Sequence, residues 1–323
     1  MKLATVADRS ADGALIVASS DGARFLPARD VAPTLQAALD DWARAEPELR
    51  TMAQCLERGV GEVLNPATLA APLPRAWQWL DGSAFESHGR LMARLFGIEP
   101  KTSSKPLMYQ GMSHRFLSPC EDVPFLRESD GIDFEGEFAV ITGAVPMGVT
   151  AREAAAHIRL VTIVNDWSLR ALAAAEMQTG FGWIQAKPAC SMAPFTVTPD
   201  ELGEGWRDGR VQMRLRVDVN GERFGEPHGG AMAFGFPELI AHAAATRSLC
   251  AGTIIGSGTV SNDDYRIAGS TCIAERRAIE TLDSRAAMTG FLRFGDRVRV
   301  HAMDDAGTSP FGILDQRVTR YSA

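Results

Sequence analysis

The sequence predicts an α+β protein built mainly of antiparallel strands. Two observations carry this. Asp12-Gly13, Asp21-Gly22 and Asn220-Gly221 each separate short apolar runs, which is the pattern of tight hairpins. Strands of five to eight residues recur with hairpin signals more often than with crossover helices, so a doubly wound sheet is excluded. The 323 residues, 46% hydrophobic and 23% charged, can bury an ample core.

Residues 1 to 30 read as three strands, KLATVAD, ALIVAS and ARFLPA. Helical spacing follows. Leu35, Leu39 and Trp42 fall on one face, and Met52, Cys55 and Leu56 on another short helix. The Pro-rich run NPATLAAPLPRAW (65–77) reads as a linker, dividing the chain into a small N-terminal domain, 1–72, and a large one, 73–323. From Phe85 the spacing is again helical, with Leu91, Leu95 and Phe96 apolar. EFAVITG, RLVTIVN, FTVTP, VQMRLRVDV, ERFG, GTIIGSGTV and DRVRVHAM read as strands. MDDAGTS reads as a further hairpin turn. TAREAAAHI, SLRALAAAEM and FPELIAHAAATRSL read as helices, and STCIAERRAIET as a strand.

Composition excludes several classes. A net charge of −7 does not suit nucleic-acid binding, which needs a basic surface. Five scattered cysteines without C-x-x-C fit neither a disulfide framework nor a zinc ribbon, and agree with a reducing cytoplasm. The start MKLATVADRSADG has no apolar h-region, and no run approaches a membrane span. HExxH, P-loop and G-x-S-x-G motifs are absent. Gly256-Ser257-Gly258 lacks the third glycine and following helix of a dinucleotide turn. His157 and His242 are expected to be partly buried structural histidines and His301 a surface one, while His114 and His228 lie in loops.

Residues 131–170 organise the candidate site. Asp133, Glu135 and Glu137 have the spacing that places them on one face of a strand. Like charges so close repel unless a cation or proton lies between them. A second strand ends at Asn165-Asp166, well placed to meet them, and oxygen ligands of this kind suit Mg²⁺ or Ca²⁺. A solvated acidic face, and Asp166 as a helix N-cap, are the plainer readings. Four other residues stand out: His88 near a helix start, Lys187 in an otherwise uncharged stretch, Arg170 one helical turn after Asp166, and Glu275. Each has a bland alternative: an exposed helix histidine, a snorkelling lysine, a local ion pair, and pairing with Arg276 or Arg277.

Over residues 75–320 these motifs resemble the fumarylacetoacetate hydrolase family. I-D-F-E-G-E-F is similar to its D-x-E-x-E strand, N-D-W-S-L-R to its N-D-W-S-x-R, and Asp81 with His88 to its Asp-x₆-His pair. Lys187 followed by Pro194 resembles the motif lysine, and Gly258-Thr259-Val260-Ser261 the G-T-[IV]-S loop. The resemblance implies Asp81, Glu135, Glu137 and Asp166 as ligands of Mg²⁺ or Ca²⁺, with Mn²⁺ possible. It implies His88 as general base paired with Glu275, Arg170 and Lys187 as cations toward substrate and leaving group, and Thr259 as a substrate contact. Ser83 stands where fumarylacetoacetate-cleaving members place a substrate-binding tyrosine, and Ala173 and Met177 where they place glutamine and tyrosine. The Lys187 segment is one residue shorter before its proline.

The implied fold is a mixed β-sandwich roll with a small N-terminal β-rich domain. The implied activity is hydrolysis of a C–C bond in a β-diketo acid, fumarylacetoacetate or a related acylpyruvate, in aromatic-compound or tyrosine catabolism. The implied assembly is a homodimer. A 2-oxo acid hydratase, decarboxylase or tautomerase on the same fold is the alternative, and a non-catalytic metal-stabilised binding protein is a third reading.

Overall fold

The computed structural model describes residues 1–95, 104–304, 307 and 309–322. Among the described residues two sheets dominate, as the α+β expectation requires. The larger runs, edge to edge, through Glu62–Val63, Arg24–Pro27, Ala14–Ala18, Lys2–Val6, Thr196–Val197, Ile158–Asn165, Gly136–Thr142, Ile254–Gly256, Trp79–Gly82 and Met108–Gly111. The smaller runs Glu222–Gly225, Arg214–Val219, Arg297–Met303, Ile313–Arg320 and Val123–Phe125. Pairing is antiparallel throughout, except where Ile254–Gly256 lies parallel to Trp79–Gly82 and Ile313–Arg320 parallel to Val123–Phe125. Among the described residues no helix is long and apolar enough to cross a membrane.

The three N-terminal strands form as the Asp-Gly signals predict, and Lys2–Val6 pairs with Thr196–Val197 to join the larger sheet. At the Asn220-Gly221 turn both residues take positive φ, 54° and 86°, the conformation a two-residue hairpin demands. The strands either side of MDDAGTS pair as a hairpin, although Asp305, Ala306 and Thr308 lie outside the described residues. Leu35–Asp40 and Trp42–Glu57 are helical, the second 16 residues long rather than short. Helix Glu86–Leu95 confirms the spacing read from Phe85; Phe96 lies outside the described residues.

The central strand Gly136–Thr142 is buried on both faces. Phe138 and Val140 join the core beneath Leu215, Val217 and Val300 of the smaller sheet. Ala139 and Ile141 join a second core with Trp79, Leu160 and Ile254. A strand buried on both sides has no solvated face, so any carboxylate on it must find a partner inside the protein.

Two elements differ from expectation. STCIAERRAIET is not a strand: Ile273–Ser284 is a helix. Extended Cys272 caps it, its Sγ accepting from the Glu275 N–H at 3.3 Å. Glu275, Ala278 and Ile279 are buried at helical spacing, a period that the charged residues of the run mask. The short strands Trp79–Gly82, Met108–Gly111 and Val123–Phe125 were missed, because three or four residues carry no legible period. His301 is on a strand but buried at 7% exposure, against a surface expectation, and His242 is exposed.

Candidate metal centre and its proton-transfer pair

Register builds the site. Asn165 lies opposite Gly136, so the end of one strand meets the start of the next. The Asp166 N–H donates to the Glu135 carbonyl at 3.0 Å, and the Asn165 Oδ1 accepts from the Glu135 N–H at 3.0 Å. On the other side of Gly136–Thr142, Gly256 lies opposite Ala139 and, in parallel register, Asp81. The outcome is four buried carboxylates, Asp81, Glu135, Glu137 and Asp166, each with an oxygen within 4.8 Å of the others.

Gly256 is required by this approach. A Cβ there would stand 2.5 Å from Asp81 Oδ1 and 2.7 Å from Glu137 Oε2, filling the space between the carboxylates. Gly258, at φ 78°, turns the chain so that its N–H donates to both of them, at 3.2 and 3.1 Å. The cluster fits a divalent cation. Its donors are all hard oxygens. Glu137 is fully buried and its Oε1 has no hydrogen-bond partner. A buried carboxylate oxygen left so is costly, and a cation removes that cost.

Asp133 does not join the cluster, contrary to the single-face expectation. The chain breaks from regular strand between Ile132–Asp133 and Gly136–Thr142, which turns its side chain away. It accepts from the N–H groups of Ile273 at 2.7 Å and Ala274 at 2.9 Å, and from Arg170 Nε at 2.8 Å. Asp133 therefore fastens the start of the helix that carries Glu275. Asp133→Ala is expected to cost about 3–5 kcal/mol of stability, the loss typical of one member of a buried ion pair. Chemical denaturation checks this, and a loss below about 1 kcal/mol would contradict it.

The cations sit beside the carboxylates. Lys187 is buried, its Nζ 2.6 Å from Asp166 Oδ2 and 3.2 Å from Glu135 Oε1, so it is not a snorkelling surface lysine. Burial opposes its charge, but Asp166 and Glu135 hold its pKa above the ordinary lysine value. Arg170 does not share a side with Asp166 by helical geometry. Ser168–Leu169 is extended and the helix starts only at Arg170, so Asp166 is not its N-cap. Arg170 instead pairs with Asp133 and Glu135. Burial alone would raise Glu135, yet Lys187 and Arg170 hold it well below the usual carboxylate range.

His88 lies in the first turn of Glu86–Leu95, half-buried, with Nδ1 2.7 Å from Glu275 Oε2. Glu275 is fully buried and does not pair with Arg276 or Arg277. The pair lies near enough to the cluster for His88 to help lower Glu135. Thr259 is buried beside Gly258, and Ser83 is exposed where the Cα of Ser83 backs onto Gly258.

Sequence reading missed three groups on these carboxylates and one packed behind them. Tyr109 OH donates to Asp166 Oδ2 at 2.5 Å, and its ring lies 5.4 Å from Lys187 Nζ. Trp183 packs edge-on against Tyr109. Cys190 Sγ donates to Asp166 Oδ1 at 3.0 Å, and Ser168 Oγ to Glu135 Oε1 at 3.1 Å. Burial and Asp166 raise the Tyr109 and Cys190 pKa values, keeping both protonated as donors.

Without a cation the cluster retains protons. Burial, then Asp166, push Asp81 up to about 8, and burial and Asp81 drive Glu137 well above its usual range. Between about pH 4 and the raised values the folded state binds more protons than the unfolded chain, so stability falls as pH rises. The Tm of chelator-treated protein is expected to drop from about pH 5.5 to about pH 8 by this linkage, and saturating Mg²⁺ to flatten the slope. A Tm that rises over that window would refute it.

The fold and the site define a class: an enzyme scaffold with a buried acidic metal centre. Residues 78–319 match the fumarylacetoacetate (FAA) hydrolase C-terminal family, and residues 1–75 match fumarylacetoacetase N-terminal domain 2. The chain belongs to the fumarylacetoacetate hydrolase family. It is 26% identical over 159 residues to 2,4-didehydro-3-deoxy-L-rhamnonate hydrolase of Sphingomonas sp. (strain SKA58), covering 48% of this chain and 53% of that one. It is 32% identical over 130 residues to oxaloacetate tautomerase YisK of Bacillus subtilis (strain 168), covering 40% and 41%. The chain thus spans about half the length of these relatives. Maleylpyruvate hydrolase from Sphingobium sp. SYK-6, solved with manganese(II) and pyruvate, shares the fold over the whole of both chains, with a TM-score of 0.66 and 16% identity.

Proposed function

We propose that this protein is a metal-dependent hydrolase that cleaves a C–C bond in an acylpyruvate-type β-diketo acid. The observation that carries the reading is the His88–Glu275 pair at 2.7 Å beside the carboxylate cluster. Asp81, Glu135, Glu137 and Asp166 would hold a divalent cation, which when bound supplies Lewis-acid polarisation of substrate oxygens. His88, with Nδ1–H held by Glu275, presents Nε2 to take a proton from water. The hydroxide adds to the acyl carbonyl carbon. The C–C bond breaks, and its electron pair passes to the enolate of pyruvate. Lys187 would stabilise that growing negative charge. The proton on His88 returns to the enolate carbon, leaving a ketone and a carboxylic acid that ionises to solvent. Ser83 and Thr259 are assigned to substrate contact.

A tautomerase is the second reading, and Tyr109 favours it. A phenol and Lys187 on one carboxylate supply two protonated donors for an enolate oxygen, with no activated water needed. The test follows the diketo-enol absorbance of fumarylacetoacetate, fumarylpyruvate and acetylpyruvate with chelator-stripped protein and added Mg²⁺. Metal-dependent loss of absorbance with release of pyruvate or acetoacetate supports hydrolysis. Turnover of oxaloacetate or a 2-oxopentenoate alone moves the assignment to the tautomerase, decarboxylase or hydratase branch. Metal-dependent melting with no turnover identifies a binding protein. The homodimer belongs to the same proposal and is tested by sedimentation.

A further inference from the structure

We propose that Ser261 and Ser87 are positioning residues that tie the helix of His88 to the loop that lines the metal centre. This rests on the reading of His88 as the base. The loop Gly258 to Asp263 makes three kinds of contact in six residues. The N–H of Gly258 holds Asp81 and Glu137. Thr259 follows, buried next to them. Ser261 Oγ then accepts from Ser87 Oγ at 2.9 Å, with Ser261 fully buried and Ser87 7% exposed. Ser87 is the residue before His88.

The loop is a rigid anchor. Val260 N–H donates to the Gly136 carbonyl at 3.1 Å, and Thr271 Oγ1 to the Val260 carbonyl at 2.8 Å. Asn262 Nδ2 donates to the His228 carbonyl at 3.0 Å, while its Oδ1 accepts from the His228 N–H at 2.7 Å. The helix is a loose element by contrast, with only Ser87 and Leu91 buried among its described residues. A second link to the loop, Arg90 to Asp263 at 2.5 Å, joins side chains 41% and 79% exposed. An exposed pair holds little, so the buried hydroxyl pair is the firm connection. Glu275 fixes one nitrogen of the imidazole, and the serine pair fixes the backbone from which the ring projects. With both in place, the other nitrogen is aimed at a point set by the same loop that holds the carboxylates.

The test is a double-mutant cycle in the full chain with Mg²⁺, on whichever diketo acid the wild type cleaves. Ser87→Ala and Ser261→Ala are each expected to lower kcat about tenfold, the cost of a base held less exactly. KM should stay within about twofold and Mn²⁺ affinity be unchanged, and the double variant should be no slower than either single. Additive losses, a raised KM with kcat kept, or weakened Mn²⁺ binding would overturn the proposal. If the wild type turns over no diketo acid, the functional reading fails, and the tie is read by amide hydrogen exchange instead. Residues Glu86–Leu95 must then exchange faster in both single variants and no faster in the double; unchanged exchange refutes the tie.

Discussion

His88→Ala is expected to lower kcat by about 10²–10⁴-fold on any diketo acid the protein cleaves, the usual contribution of a positioned general base. KM should change little, because His88 acts on water and the acyl carbon's new bond rather than on the ground-state substrate. Metal affinity should hold, since the imidazole is not among the clustered carboxylates. Glu275→Gln should fall in the same direction by a smaller factor. It keeps an acceptor for Nδ1–H but removes the charge that stabilises the imidazolium. The comparison separates two chemistries. Hydrolysis needs a base for water, whereas a tautomerase would need no activated water and could use Lys187 and Tyr109 as donors to an enolate oxygen. Full activity in His88→Ala, measured by the same absorbance assay on a diketo acid that the wild type cleaves, would remove His88 as the base.

The parts of this molecule legible in the sequence are those set by local chemistry. Asp-Gly and Asn-Gly turns forced the N-terminal and Asn220-Gly221 hairpins, because few other residues tolerate positive φ there. The carboxylates of Glu135 and Glu137 were legible because their spacing matches a strand that continues into an apolar run. Asp133 shows the limit of that argument. The same spacing placed it with them, but a break in the strand sends it to Arg170 and the Ile273 helix. Glu275 stands out in the sequence and its role comes from the resemblance, but STCIAERRAIET reads as a strand because its charged residues hide the helical period. Tyr109 and Cys190 reach Asp166 only through sheet pairings and a loop across the fold, and nothing local announces them. Their own neighbours, MYQG and KPACSM, carry no charge pattern.

Replacing Glu135 and Glu137 together by alanine is expected to abolish divalent-cation binding and with it all metal-dependent turnover. The two residues supply half of the oxygen set, and the pair that remains is Asp81 on its strand and Asp166 just past the end of another, with Lys187 already on Asp166. Mg²⁺ at 100 times its Kd should stabilise the wild type by about 2.7 kcal/mol, and the double variant by nothing measurable. Stability without metal separates the two glutamates. Glu135 neutralises Lys187 and Arg170, so its loss leaves a buried and a half-buried cation short of a partner and should destabilise the fold. Glu137 contacts no cation, has one oxygen without a partner, and is opposed by Asp81. Glu137→Gln alone should therefore melt no lower than the metal-free wild type near pH 8, while losing most of the Mg²⁺ response. Mn²⁺ titration followed by electron paramagnetic resonance reads binding directly. A double variant that binds Mn²⁺ as tightly as the wild type would mean that the cation is held elsewhere.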